Sequence, residues 1–173
     1  MKKNTNKLQR IMEINKYKLT DKTIEHNGHI LHRIEALKDF GDVKKGDLGG
    51  WVQSEDNLSQ DDRCWIFDEA KVYDTAIVSG SAEVKGNAEV YGNVEICGYA
   101  HIFGAAEVYG NALIENDAKV YDDAEICGDA WIRHLIYMKD IVNIAYLIVV
   151  ARIKKIIIII KRKNIMIVLT KIK

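Results

Sequence analysis

Histidine side chains are the first candidates for chemistry in this 173-residue sequence. His26, His29 and His32 lie three residues apart, and imidazole nitrogens are common metal ligands. On a β-strand, side chains three residues apart point to opposite faces, so the three imidazoles converge only if the chain bends. At most two of them, His26 and His29, can face each other across a turn. We therefore expect solvent-exposed histidines on a hairpin and no metal site.

His101 stands apart from that group and immediately precedes Ile102. An imidazole that titrates near neutral pH can act as a general base. However, His101 lies beside an apolar residue in what reads as a regular strand, so it should face outward. No long inserted loop nearby would build a pocket around it. We expect a solvated strand position, and His101 is our candidate catalytic residue only if the protein is an enzyme.

Tyrosine and glutamate recur together at every eighteenth position of one stretch of the chain. Exposed tyrosines beside carboxylates are typical of protein-binding surfaces, since tyrosine offers a large contact area at low entropic cost. Stacked tyrosines also stabilise neighbouring strands, as cross-strand aromatic pairs do. The pattern therefore predicts a binding face, a stabilising stack, or both. The candidate binding residues are Tyr73, Tyr91, Tyr109, Glu89, Glu107 and Glu125.

A six-residue repeat must position these side chains. An aliphatic β-branched residue recurs at every sixth position, and a small residue, mostly alanine, precedes each one by two positions. Turn-forming residues follow it, as in Gly86-Asn87 and Asp122-Asp123. The twelve aliphatic residues are Ile66, Val72, Val78, Val84, Val90, Ile96, Ile102, Val108, Ile114, Val120, Ile126 and Ile132.

A period of six excludes an α-helix, whose pattern returns every 3.6 residues. Each hexad reads instead as a short strand plus a bend, with the Val or Ile inward and the Gly, Asn or Asp at a corner. Three hexads close one triangular coil, and equivalent residues of successive coils stack about 4.8 Å above one another. The sequence therefore predicts an all-β fold: a single-stranded parallel β-helix over residues 65–134.

The N-terminal flank divides into two parts. Residues 1–15 form a basic arm that lacks the apolar core of a signal peptide. In residues 16–64, Asn27-Gly28 between alternating apolar residues predicts a β-hairpin. An irregular coil should follow near Leu48, which lies one coil length before Ile66. We expect the hairpin to cap the open strand edge at this end of the β-helix.

The C-terminal flank, residues 135–173, departs from the repeat. Isoleucine makes up a third of this flank. Basic clusters interrupt the apolar runs, so none approaches the roughly 18 residues of a membrane span. A membrane-surface segment is an alternative. We interpret the tail as an extension that is not needed for folding of the repeat.

Charge is unevenly distributed, although 25 Lys/Arg balance 25 Asp/Glu over the whole chain. Residues 65–132 carry 3 Lys/Arg against 13 Asp/Glu, and residues 133–173 carry 10 against 1. An acidic β-helix lacks the cations that phosphate contacts need, which argues against direct nucleic-acid binding by it and favours a protein partner. The cysteines have no metal-ligand spacing, and their odd number favours a reducing cytoplasm. They are Cys64, Cys97 and Cys127.

The run HRIEALKDFGDVKKGDLGGWVQSEDNLS, followed by CWIFDEAKVYD, resembles a family of uncharacterised bacterial and prophage hexapeptide-repeat proteins. The resemblance covers about residues 16–132. It implies a left-handed β-helix, a fold whose best-known members are acyltransferases that use acyl-CoA and a histidine base. It carries over no catalytic residues, and fold analogy alone does not establish a reaction.

Two functions therefore stay open. The first is a non-catalytic binding or scaffold protein, phage- or prophage-related, that needs no cofactor and acts through protein contacts. Inhibition of a host defence enzyme by its acidic face would be one version. The second is an acyltransferase that uses acyl-CoA, with His101 as its base, in a homo-oligomer. The regular repeat without inserted loops favours the first.

Overall fold

Sixteen strands and one short 3-10 helix, Glu55–Asn57, follow one another in the part of the chain that the computed structural model describes, residues 15–133 and 142–143. Most strands have two residues, because each hexad also contains a bend. The strands are β1 Tyr17–His26, β2 His29–Ala36, β3 Leu48–Val52, β4 Trp65–Ile66, β5 Lys71–Val72, β6 Ile77–Val78, β7 Glu83–Val84, β8 Glu89–Val90, β9 Glu95–Ile96, β10 His101–Ile102, β11 Glu107–Val108, β12 Leu113–Ile114, β13 Lys119–Val120, β14 Glu125–Cys127, β15 Trp131–Ile132 and β16 Val142–Asn143.

The strands form three sheets that are the three sides of a prism. The first sheet has the order β1-β2-β3-β5-β8-β11-β14-β16, the second β4-β7-β10-β13 and the third β6-β9-β12-β15. Within the repeat all pairing is parallel and joins residues one coil apart, as in Val90 with Val108 and Val108 with Ile126. The solenoid has about five turns. The predicted all-β parallel β-helix is confirmed.

The prism interior consists of the residues that the six-residue period places inward. All twelve predicted Val and Ile side chains are at most 1% exposed. The small residues that precede them by two positions, alanine except at Cys64 and Val94, are buried to the same extent. Burying each Val or Ile side chain contributes about 1.5–3 kcal/mol before the entropy of ordering the chain is subtracted. The prediction that these twelve residues face inward is confirmed.

The corners need left-handed backbone angles, for which glycine has no steric cost. Gly98 has φ +71°, and a Cβ atom there would lie 2.7 Å from the backbone nitrogen of Asn116 in the next coil. Asp68 occupies an equivalent corner with φ 54°. Its carboxylate accepts a hydrogen bond from the backbone nitrogen of Gly86 in the coil above, at 3.0 Å. This hydrogen bond to the next coil stabilises aspartate at a corner position that glycine occupies in other coils.

The first coil starts in β3, but its register differs from the expected one. Val52 pairs with Val72, and Leu58 forms a bridge with Val78, so each partner lies two positions farther along the chain than the coil period predicts. Val52 and Leu58 are at most 1% exposed, whereas Leu48 is 54% exposed. Leu48 thus lies at the start of this coil but faces outward, and the inward residues of the coil are Val52 and Leu58. Leu58 and the next inward residue of this series, Ile66, are separated by two positions more than one hexad. These two additional residues shift the register of the first coil.

The hairpin covers the N-terminal end of the prism. β1 and β2 pair around Asn27-Gly28, and β2 pairs antiparallel with β3, so the hairpin extends the first sheet. Tyr17 and Ile34, at the base of the hairpin, are fully buried in the core of the prism. The hydroxyl of Tyr17 donates a hydrogen bond to the carbonyl of Leu58 at 2.7 Å. The base of the hairpin is therefore the cap that the open strand edge required.

A buried lysine ties this cap to the chain that enters the repeat. Lys16 is 1% exposed, and its ammonium group donates to the carbonyl oxygens of Asp61 and Cys64 at 3.1 and 2.9 Å. Its Nζ atom also lies 3.3 Å from the Sγ atom of Cys64. Burial lowers the pKa of Lys16 and raises the pKa of the Cys64 thiol. The carbonyl oxygens offset part of the desolvation cost of the cation.

Beyond the hexads, β16 pairs in parallel with β14, with Ile126 opposite Val142. This offset is two positions shorter than the coil period, so β16 extends the first sheet outside the repeat. Residues 1–14, 134–141 and 144–173 lie outside the described residues, and the expectations for the basic arm and the tail stay predictions. Within the described part, no helix has the length and apolar character to cross a membrane.

Candidate binding face

Three tyrosines stack into a ladder on the outer side of the first sheet. Each follows the inward residue of its strand, in β5, β8 and β11, so the coil period places one above another. The ring centroids of Tyr73 and Tyr91 are 5.0 Å apart with planes 7° from parallel, and those of Tyr91 and Tyr109 are 5.2 Å apart at 4°. These separations match the spacing of about 4.8 Å between neighbouring strands. The predicted stacking of the tyrosines is confirmed.

The upper two tyrosines each donate their hydroxyl to a glutamate of the next coil. Tyr91 donates to Glu107 at 2.6 Å, and Tyr109 donates to Glu125 at 2.5 Å. Burial and the bond to Glu107 raise the pKa of Tyr91, and the bond to Glu125 raises the pKa of Tyr109. Both phenols therefore remain protonated near neutral pH and hold the two glutamates in register with the rings.

The lowest tyrosine is covered by the protein's own hairpin. Tyr73 packs with Leu31 and Trp51, and these three residues are at most 3% exposed. Ile24 and Tyr91 pack against the same cluster. The expectation that Tyr73 lies on an open outer surface is wrong, because the tip of the hairpin bends over the first sheet. Tyr91 is partly exposed above it.

Two histidines attach the tip of the hairpin to the ladder. Nε2 of His26 lies 2.9 Å from a carboxylate oxygen of Glu89, and Nε2 of His29 lies 3.3 Å from Asp74. Their rings lie 5.6 and 5.2 Å from the ring of Tyr73. The side chains of His26 and His29 are 23% and 31% exposed. The expectation of solvent-exposed hairpin histidines is therefore wrong for these two, since they pack on the ladder.

Glu89 is bound within the molecule. Besides His26, it contacts the ammonium group of Lys71 at 3.0 Å. Burial alone would raise the pKa of the Glu89 carboxyl, but hydrogen bonds from Lys71 and His26 outweigh that effect and lower it. The two higher glutamates differ. Among the described residues, neither Glu107 nor Glu125 forms a salt bridge.

A further contact that holds the hairpin was missed in the sequence. The indole nitrogen of Trp51 donates to Glu69 at 2.8 Å, and Arg33 donates to the other oxygen of Glu69 at 2.8 Å. The guanidinium group of Arg33 lies 4.9 Å from the centre of the Trp51 ring. Hydrogen bonds from Trp51 and Arg33 lower the pKa of Glu69. Trp51 and Glu69 lie 18 positions apart, but Trp51 pairs with Lys71 in the shifted register of the first coil, so the coil period could not have indicated this contact.

His101 lies on the second sheet and faces outward, away from the ladder. Its Nδ1 atom is 3.0 Å from Glu83, which also contacts Lys85 at 2.8 Å. The His101 side chain is 38% exposed. A histidine oriented by a carboxylate is an arrangement that general-base catalysis uses. Here, however, the pair lies on a flat strand whose outward side chains do not converge as those of a catalytic pocket do.

Metal-ligating side chains do not cluster anywhere in the described ranges: no three His, Cys, Asp or Glu residues come together in a way that could hold a metal ion. The cysteines there are free thiols, with Cys64 and Cys127 buried and Cys97 partly exposed. The hairpin histidines do not join one another at a common site, because His32 turns instead toward the carbonyl oxygen of Thr20 at 3.3 Å.

Comparison with known proteins gives one partial similarity. A stretch of 40 residues, 23% of the chain, is 45% identical to the "Uncharacterized acetyltransferase YdcK" of Escherichia coli. The matched stretch spans only 12% of the length of that protein. No protein-family model matches the sequence. The similarity and the β-solenoid together fit a hexapeptide-repeat, acyltransferase-like protein, and the resemblance found in the sequence holds at that level.

Proposed function

We propose that this protein is a non-catalytic binding module that contacts another protein through Tyr91, Tyr109, Glu107 and Glu125, which we call the open ladder. The observation that carries the proposal is the docked hairpin, since the molecule already uses Tyr73 as a contact surface for a β-segment. The coils above repeat the same tyrosine and glutamate positions, and both tyrosines there are partly exposed. Partly buried tyrosines are favoured hot spots of protein interfaces.

Binding suits this surface better than turnover for a geometric reason. A catalytic site needs polar groups that converge on one reacting atom, usually in a concave pocket. The side chains of the open ladder instead run parallel to one another, with ring planes only 4° apart. Such a surface matches a partner over an extended area, as flat interfaces do.

The test compares two tyrosines in partner capture from the organism that encodes the protein. Tyr91→Ala should weaken binding of the captured partner by about 2 kcal/mol or more, roughly thirtyfold, with little change in the melting temperature. Tyr99→Ala is the matched control, because Tyr99 is 69% exposed and lies outside the ladder. Equal binding by wild type and Tyr91→Ala, or equal losses in both variants, would refute the proposal.

One version of this function is a phage- or prophage-derived inhibitor that acts in the cytoplasm without a cofactor. Its support is the charge of residues 65–132, where 13 Asp/Glu face 3 Lys/Arg. Carboxylates in regular order can occupy the basic groove of a host defence enzyme. Inhibition of such an enzyme should then weaken as salt is added, because salt screens exposed charges.

A second candidate function is acyl transfer from acyl-CoA in a homo-oligomer, with His101 as the base. Two observations favour it: the 40-residue similarity to a protein named as an acetyltransferase, and the contact of His101 with Glu83. Acetyl-CoA turnover by the full chain, lost in His101→Ala with folding intact, would establish it. Under the leading proposal, His101→Ala leaves partner binding unchanged.

A further inference from the structure

The docked hairpin shows which chemical groups this face of the prism accepts. Ile24 of the tip packs against the cluster that contains Tyr73, and the ring of His29 lies 5.2 Å from the Tyr73 ring. The side-chain amide of Asn27 donates to the hydroxyl of Tyr73 at 3.2 Å. His26 lies 2.9 Å from a carboxylate oxygen one coil higher. The occupant is therefore the tip of a hairpin, whose strands are extended up to the turn, and its apolar parts cover the rings while its polar nitrogens reach the carboxylates.

The glutamates along this face differ in their partners from the covered end to the open end. At the covered end, Glu89 contacts both His26 and Lys71. At the open end, Glu107 and Glu125 each accept a tyrosine hydroxyl through one carboxylate oxygen. Within the described residues, no cation forms a salt bridge with either of them. Their second oxygens are therefore suited to charge-assisted hydrogen bonds from outside, which are stronger than neutral ones.

We propose, building on the function proposed above, that the partner presents to the open ladder an extended basic segment with Lys or Arg at alternate positions. Alternate side chains of an extended chain point the same way, about 6.6–7 Å apart. The coil period places Glu107 and Glu125 about 4.8 Å apart, and long flexible side chains absorb the difference. The apolar stems of Lys or Arg pack beside Tyr91 and Tyr109 while the charged ends reach the carboxylates.

Lysine peptides of equal composition test the proposal on the full chain. In one peptide of about ten residues, Lys and Thr alternate, and in the other the lysines form one block. Only the alternating peptide presents all of its ammonium groups on one side when extended. Fluorescence anisotropy of the labelled peptides should show that the wild-type protein binds the alternating peptide at least about tenfold more tightly than the block peptide.

Removal of charge from the open ladder is the second arm of the experiment. Glu107→Gln combined with Glu125→Gln should lower the affinity for the alternating peptide at least about tenfold, since the charged acceptors are lost. Glu95→Gln is the matched control, because Glu95 holds the equivalent strand position on the third sheet. It should change the affinity less than about twofold. Circular dichroism verifies that each variant folds.

Three outcomes overturn the inference: equal affinity for both peptides, equal loss in Glu95→Gln, or no binding by the wild-type chain. Absence of binding overturns the inference even if its cause is that the basic tail or a second copy of the protein covers the open ladder. If Tyr91→Ala loses the captured partner but the double glutamine variant keeps the peptide, the proposed function stands and this inference falls. If the peptides behave as expected but Tyr91→Ala keeps the partner, the proposed function falls instead.

Discussion

The repeat prism, residues 65–132, and the N-terminal cap, residues 16–58, are stabilised in different ways. In the prism, each coil makes the same contacts as the next coil. In the cap, each stabilising contact occurs once. In the prism, Val and Ile stack at intervals of one coil and the outward positions vary widely. In the cap, Lys16 and Arg33 each serve one defined site. We therefore expect the effect of a substitution in the prism to depend on whether the side chain points inward or outward. In the cap, we expect it to depend on the particular contacts that the replaced side chain makes.

Asn57 is the clearest example of a contact that occurs once. It is 1% exposed, and its side-chain oxygen accepts hydrogen bonds from the backbone nitrogens of Gln53 and Ser54 at 3.1 and 2.9 Å. Its amide nitrogen donates to the carbonyl oxygens of Asp74 and Ala76 at 3.1 and 2.9 Å. One side chain thus satisfies four backbone groups and joins the first coil to the second.

The largest expected effect comes from a charge placed inside the prism. Ile96→Asp should unfold the protein, because an unpaired buried carboxylate costs several kcal/mol. Ile77→Asp is the matched control, since Ile77 lies on the same sheet but faces outward with 45% exposure. Circular dichroism and thermal melting check both variants. A folded Ile96→Asp protein would contradict the inward assignment of this column.

Asn57→Ala tests the dependence of the cap on single residues. It should lower the free energy of unfolding by about 2–4 kcal/mol, because buried backbone groups lose their partners. Asn87→Ala, at an exposed corner of the prism, should cost less than about 0.5 kcal/mol. Urea denaturation measures both values. Equal losses would show that the cap and the prism do not differ in this way.

Corner substitutions test the prism at its tightest point. Gly98→Val should cost about 2–3 kcal/mol, because a β-branched residue is strained at φ +71° and its Cβ atom meets the backbone of Asn116. Gly98→Asp should cost less than Gly98→Val, although its Cβ atom meets the same backbone. Aspartate tolerates a positive φ better than valine, and its carboxylate can bond to the coil above as that of Asp68 does. If urea denaturation gives the two variants the same stability, the corner is not limited by close stacking.

Acid should release the hairpin tip before it unfolds the prism. The pKa values of Glu69 and Glu89 are lowered in the folded protein, so their contribution to stability is complete above the ordinary carboxyl value of about 4.3. It is lost as the pH falls through the lowered values. Hydrogen exchange of residues 24–31 should accelerate in that range while residues 84–108 stay protected. In Glu69→Gln combined with Glu89→Gln, this pH dependence should be much smaller.

The smallest expected effect is that of removing the tail. A chain ending at Arg133 should melt within a few degrees of the full chain, because the hexads and their inward residues remain complete. The strand β16 is lost in this variant, but it pairs with β14 outside the coil period. Loss of the β-sheet circular dichroism signal on truncation would show instead that the tail is a structural cap.

Periodic features could be predicted from the sequence because they depend only on spacing. The inward position of Ile96 and the stacking of Tyr91 on Tyr109 follow from a six-residue repeat and three repeats to a coil. The shifted first coil could not be predicted in this way, since the insertion before Ile66 lengthens the offset between paired residues by two positions. Where one corner has an irregular length, the repeat period no longer predicts which residues pair across it.

The sequence by itself determined the prism, its corners and the column of tyrosines, because each coil pairs with the next at a fixed chain separation. Only the tertiary structure decided which part of that column is open. The contact of His26 with Glu89 spans 63 residues, and that of Asn27 with Tyr73 spans 46, intervals that no repeat relates. A hairpin can extend the first sheet and stay flat, or bend over its outer side. Packing of Leu31 and Trp51 on Tyr73 stabilises the bent arrangement, because it removes large apolar surfaces from water.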